Sequence, residues 1–150
     1  MNIFQFYLET VHEIKPIFHV SIKPIKTLGH TPMWFSDDIK HAKEYYKNVL
    51  GDGFEHAYMY QGEIIGEILT SKELKALLQQ HNIDEYNFIA ELVSNPNSAK
   101  ITKQIEWLKK HCDGFYHSDY DPSDWSNDIE TLLIFDPAMV KNWKAVSVNE

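Results

Sequence analysis

Thr131-Leu132-Leu133-Ile134-Phe135, followed at once by Asp136-Pro137, is an uncharged apolar run that ends in a turn signal. Its composition predicts a strand buried on both faces, the pattern of a strand inside a covered sheet. Working outward, Ile17-Phe18-His19-Val20-Ser21-Ile22 lies between Pro16 and Pro24, and Phe18, Val20 and Ile22 alternate with Ile17, His19 and Ser21. That period of two predicts a short strand with His19 and Ser21 on one face. Gly29-His30-Thr31-Pro32 reads as a turn into a further short strand, Met33-Trp34-Phe35. His56 to Leu69 reads as strand material around a turn at Gly62.

Between these strands the period changes to that of helices. Ile39, Ala42, Tyr46 and Val49 predict a helix capped by Ser36 or Asp37 and ended by Gly51-Asp52-Gly53. Thr70-Ser71-Lys72-Glu73 is a capping box opening a helix with Leu74, Leu77 and Leu78. Another helical stretch carries Phe88, Ile89, Leu92 and Val93 as far as Asn95-Pro96. The clearest periodicity is Ile101, Ile105, Leu108 and Cys112, which makes Cys112 a core thiol. Phe115 to Asn127 is polar and aromatic without a period and predicts a long loop, of the kind that carries a function. A last segment surrounds Trp143 and Val146, while Met1–His12 shows no clean period and receives no assignment. The expected class is α+β, in one domain spanning 1–150.

Composition narrows the function. Fourteen basic and twenty-two acidic residues give a net charge of −8, which argues against a broad grip on nucleic acid or anionic membrane. One cysteine excludes an intrachain disulfide and a four-cysteine zinc site and suits a reducing cytoplasm. No apolar stretch reaches the length of a membrane span and no leader pattern is evident, so a soluble chain starting near Met1 is expected. Phosphate-binding Gly-rich loops, His-Glu-x-x-His and Ca²⁺ loops are missing from the sequence. His111, Cys112 and His117 are the nearest approach to a metal set, but a helix tail and a loop need not converge, and no metal is expected.

Three separated segments carry the remaining chemistry: Ile17–Ser21, Met33–Ser36 with Tyr45 and Tyr46 behind it, and Asp113-Gly114-Phe115 followed by Asp128-Ile129-Glu130 and Leu132–Pro137. In this order they resemble the motifs of small single-domain mono-ADP-ribosyltransferases of the His, aromatic or hydroxyl, Glu type, which include bacterial toxin, phage and anti-CRISPR members. The resemblance covers about Ile17 to Lys144. It implies an ADP-ribosyltransferase-like split β-sheet core with helices inserted between the strands. It also implies NAD⁺ as substrate, bound by His19, Val20, Ser21, Trp34, Ser36, Tyr45 and Tyr46, with Glu130 and His19 catalytic. Asp128 stands where many such transferases have Glu or Gln, and the three motifs contain no Arg.

The chemistry stands without the name. Breaking the nicotinamide–ribose bond builds positive charge on the ribose, and a carboxylate beside it stabilises that charge. Glu130, where a polar loop meets a buried strand, is the candidate. His19 and Ser21 would hydrogen-bond ribose or carboxamide; Trp34, Tyr45 or Tyr46 would stack on nicotinamide. Tyr120, Trp125 and Asp128 would face a macromolecular acceptor, a protein rather than a nucleic acid. Each residue also has a plain structural explanation: Ser36 as a helix cap, Tyr46 as core, Glu130 as a polar strand mouth. Two alternatives accompany this expectation: an NAD⁺ glycohydrolase using the same site, and a non-enzymatic protein-binding module on the same scaffold.

Overall fold

The computed structural model describes residues 14–121 and 124–148, with backbone alone for 119–121 and 124–129. Strands β1 (Lys15–Ser21), β3 (Tyr58–Ile64) and β7 (Lys141–Val146) form one antiparallel sheet in the order β1-β3-β7. Strands β2 (Met33–Phe35), β4 (Ile68–Leu69), β5 (Gly114–Asp121) and β6 (Asp124–Ile134) form a second, in the order β2-β6-β5-β4. Its pairs are antiparallel except β4 with β5. The α+β class expected from the sequence is the one observed.

Among the described residues four α-helices cover these sheets: α1 (Ile39–Gly51), α2 (Ser71–Gln80), α3 (Glu85–Ser94) and α4 (Ala99–Leu108). The last three bury Leu74, Leu78, Phe88, Leu92, Ile101 and Ile105 against Phe115, Leu133 and Phe135 on one face of the second sheet. The opposite face carries Phe35, Tyr116, Leu132 and Ile134 and packs on Ile17 and Ile64 of the first sheet. Helix α1 closes the outside of the first sheet, with Ala42 and Tyr46 against Phe18, Val20 and Met59. The apolar run 131–135 is thus covered on both sides, as its composition requires. Complete burial of side chains such as Phe115 and Leu133 contributes roughly 2–3 kcal/mol each.

Local chemistry sets the boundaries. Thr70 and Glu73 form the predicted capping box, each side chain bonding the other's backbone N–H. At α1 the expectation fails in detail, because the cap is Asp38, whose carboxylate accepts from Lys40 N–H at 2.8 Å. Ser36 lies two residues earlier and bonds the Asp38 backbone instead. Cys112 lies just past the end of α4, buried in the core as predicted, and burial pushes its thiol pKa up to about 12.

Two further expectations are corrected. Gly62 is no turn residue; it sits inside β3, paired with Ile17, beside a bulge against β7. A side chain there would run into Val140, so the glycine serves close packing. The predicted loop from Phe115 to Asn127 is mostly the two arms of a long antiparallel hairpin, with Ser118 opposite Glu130 and Tyr120 opposite Asp128. Its polarity misled because backbone pairing makes these strands and requires no apolar alternation of their side chains.

Candidate functional site

Strand period two decides which side chains meet. On β1, Lys15, Ile17, His19 and Ser21 share a face, and Ile17 is buried between the sheets. His19 therefore points toward the second sheet, where its ring lies 5.7 Å from that of Phe35. On β6, Glu130 shares its face with Leu132 and Ile134, both part of the inter-sheet core. Phe35 pairs with Leu132, and Glu130 is the next inward residue along β6, about 7 Å further by strand geometry. His19 and Glu130 thus occupy the facing surfaces of the two sheets.

Near them the chain changes sheets at Ser36. The β2–β6 ladder runs from Met33·Ile134 to Phe35·Leu132, and the following residue leaves it to pair with β1. Ser36 N–H donates to Phe18 O at 2.8 Å and Phe18 N–H to Ser36 O at 2.7 Å. Beyond that crossover β6 continues with Thr131 and Glu130, paired to β5 on one side only among the described strands. A short segment thus bonds to both sheets just before β6 runs on to Glu130.

Around this crossover the polar groups are interlinked. Tyr116 OH donates to Asp37 Oδ2 at 2.9 Å and accepts from Lys15 Nζ at 3.3 Å, and the ammonium lies 5.2 Å from the Tyr116 ring centre. Ser118 Oγ reaches Glu130 Oε1 at 3.5 Å, a weak contact. Burial, the hydrogen bond to Asp37 and the charges of Asp37 and Glu130 raise the Tyr116 pKa, in that order, so Tyr116 acts as a donor and not as a phenolate base. Burial lowers the His19 pKa, partly offset by a 2.7 Å hydrogen bond from its Nδ1 to Trp34 O. A carbonyl can only accept, so in neutral His19 the proton sits on Nδ1 and Nε2 presents a lone pair.

The other sequence-predicted residues divide sharply. Trp34 is turned to the opposite, helix-covered face, against Phe115 and His117, because it alternates with Met33 and Phe35. Its ring cannot stack on anything held by His19; only its carbonyl reaches the imidazole. Val20 points outward toward α1 and Tyr46 packs from α1 onto the same outer face of the first sheet, so that sheet separates both from the face of Glu130. Tyr45 is 58% exposed on α1. Ser21 Oγ donates to Lys23 O at 2.7 Å and accepts from Lys23 N–H, and Ser36 Oγ bonds the Asp38 backbone, so both hydroxyls already serve local turns. The side chains of Tyr120, Trp125 and Asp128 lie outside the described residues, as do Met1–His12.

Sequence reasoning missed Lys15, Asp37, Tyr116 and Ser118, and also Tyr60 and Trp143. Tyr60 is the register partner of His19 and stacks on Trp143 with ring centres 5.0 Å apart. Both rings tie down the segment after β1, Ile25 N–H donating to Tyr60 OH and Trp143 Nε1–H to Ile25 O. The register of the 114–134 hairpin puts Tyr116 and Ser118 on the Glu130 face. Among the described residues no group of three or more His, Cys, Asp or Glu is arranged to hold a metal, and no helix is long and apolar enough to cross a membrane. A cavity of about 480 Å³ opens on the other face of the second sheet, lined by Trp34 and Leu133 but by neither His19 nor Glu130. No protein family, curated protein or solved structure matches the chain.

Proposed function

We propose that the chain is a mono-ADP-ribosyltransferase with an ADP-ribosyltransferase-like split-sheet core. NAD⁺ is its substrate, and ADP-ribose passes to a macromolecular acceptor, a protein, in the cytoplasm of the producing or infected cell. The observation that carries this reading is the position of His19 and Glu130 on facing sheet surfaces, beside the point where β2 leaves β6 for β1. It favours the reading because the reaction needs a neutral hydrogen-bonding group for the ribose and a carboxylate where positive charge develops.

In this reading, the bond from ribose C1′ to the nicotinamide nitrogen breaks with its electron pair leaving on nicotinamide, which departs neutral. The acceptor heteroatom forms the new bond to C1′ and gives up one proton to solvent. Glu130 stabilises the oxocarbenium-like transition state electrostatically, an effect typically worth about 2–4 kcal/mol for one well-placed group. His19 accepts from a ribose hydroxyl through Nε2, since Nδ1 is committed to Trp34 O. Water in place of the acceptor converts the same site into an NAD⁺ glycohydrolase.

Nicotinamide release from NAD⁺, measured with and without a target-cell lysate, tests the proposal. Release that rises with lysate, together with labelled protein, is the transferase outcome; release indifferent to lysate is the glycohydrolase outcome. Glu130→Gln should abolish both, and full labelling by that variant removes Glu130 from the mechanism. Absence of heat on titrating millimolar NAD⁺ would favour a non-enzymatic binding module.

A further inference from the structure

The cavity on the helix side of the second sheet belongs to no part of the proposed reaction. Its volume is about 480 Å³, within the range of small-molecule pockets and far above that of a packing defect. Trp34 forms one wall, its indole held edge-on against Phe115 with ring centres 6.0 Å apart. Leu92 and Val93 line it from α3, Ile105 from α4 and Leu133 from β6. Pro32 and Pro96 stand at two margins, where fixed backbone φ angles limit the collapse of the walls.

Every charged or titratable side chain of the lining already has a partner. Lys109 Nζ holds Glu106 at 3.1 Å, and His30 holds Asp136 at 2.8 Å. The Thr102 hydroxyl donates to Ser98 O at 2.9 Å. Two side-chain groups of the lining remain, the Thr31 hydroxyl and the Asn97 carboxamide, which bond no other described residue. A charged ligand would give up water here without meeting a counter-charge, a cost that a neutral ring avoids. Both remaining groups are themselves neutral, and the oxygen of either accepts from an N–H. Apolar walls with a neutral acceptor at the rim suit a flat, uncharged ring that carries one donor.

The geometry points to a second binding site here, for a small uncharged heteroaromatic molecule whose ring rests between Trp34 and the aliphatic side chains of α3 and α4 and whose ring N–H meets Asn97 or Thr31. This site is independent of the NAD⁺ reading, since it opens on the face of the second sheet turned away from His19 and Glu130.

Indole is the probe, titrated into the full chain while methyl resonances of Leu92, Val93, Ile105 and Leu133 and the Trp34 indole N–H are followed by NMR. Saturable millimolar binding with shifts centred on these groups is expected. Benzothiophene, of the same shape without the N–H, should bind several-fold more weakly, as should the anion indole-3-carboxylate and the cation tryptamine. Thr102→Trp, a substitution at an exposed lining position, should fill the opening and abolish the shifts. Val93→Trp, at a lining position 66% exposed, provides a second block should the first variant misfold. Thr31→Val combined with Asn97→Ala should erase the preference for indole over benzothiophene. Unshifted methyls at millimolar indole, or undiminished shifts in a folded tryptophan variant, overturn the site. Binding of either charged analogue as tight as that of indole overturns the assignment to an uncharged ligand, and equal binding of benzothiophene by the native chain overturns the role of the N–H.

Discussion

The two faces of the β5–β6 ladder obey one alternation and do opposite work. On one face Phe115, Leu133 and Phe135 disappear under three helices. On the other the same strands pass from buried Leu132 and Ile134 to Tyr116 and then to exposed Ser118 and Glu130. On the first face three helices cover the strands, leaving a cavity beside Trp34 and Leu133; on the second the cover stops where β2 crosses to the other sheet. A carboxylate is thereby held by a strand whose reverse side is anchored in the core, which gives rigidity without burying the charge.

Substitutions can break this contrast. Phe115→Ala on the packed face should lower unfolding free energy by about 3–5 kcal/mol in urea melts, because a buried ring leaves a cavity. Glu130→Gln on the open face should leave the melt within about 0.5 kcal/mol yet reduce nicotinamide release by on the order of a hundredfold or more. If the two variants behaved alike in both assays, the division of labour between faces would be wrong. Gly62→Ala, where a methyl would strike Val140, should cost about 1–3 kcal/mol and alter the β3–β7 pairing seen by amide exchange. Tyr116→Phe removes the hydrogen bond to Asp37 and should cost about 1 kcal/mol.

Proton linkage separates the faces more finely. The Cys112 thiol, on the packed side, has its pKa raised from 9.0 to about 12, so the folded state keeps the proton that the unfolded chain loses. Stability should be unaffected by this group below pH 9 and fall between about 9 and 12, and Cys112→Ala should flatten that decline in alkaline melts. His19 has its pKa lowered from 6.5, so the sign reverses. Its contribution is intact above pH 6.5 and is lost as the pH falls below that value, where the unfolded imidazole takes a proton that the folded one resists. A shallower acid limb in His19→Gln would confirm the smallest of these effects.

Much of this was legible from residue spacing. The capping box at Thr70, the helical stripes of α1 to α4 and the doubly buried strand near Leu133 are local patterns that packing had no reason to override. The orientation of Trp34 was also legible, since a residue between Met33 and Phe35 must face away from both; reading the triplet as an aromatic motif concealed that. The hairpin arms around Ser118 and Asp128 were not legible, because paired backbone leaves no periodic trace in polar side chains. Nor was the choice of Asp38 over Ser36 as the helix cap, which depends on where β2 departs for β1. Asp37 and Tyr116 lie 79 residues apart, so their contact followed only once the hairpin register was known.

The exchange of partners at Ser36 bears on how a guest molecule is admitted. Two backbone hydrogen bonds to Phe18 on one side and the three-residue ladder to β6 on the other clamp the same few peptides. The sheets cannot swing apart about that point without severing main-chain bonds. The backbone leading to Glu130 is therefore held in place, so any group that met this carboxylate would find a preset surface, with little ordering entropy left to lose on arrival.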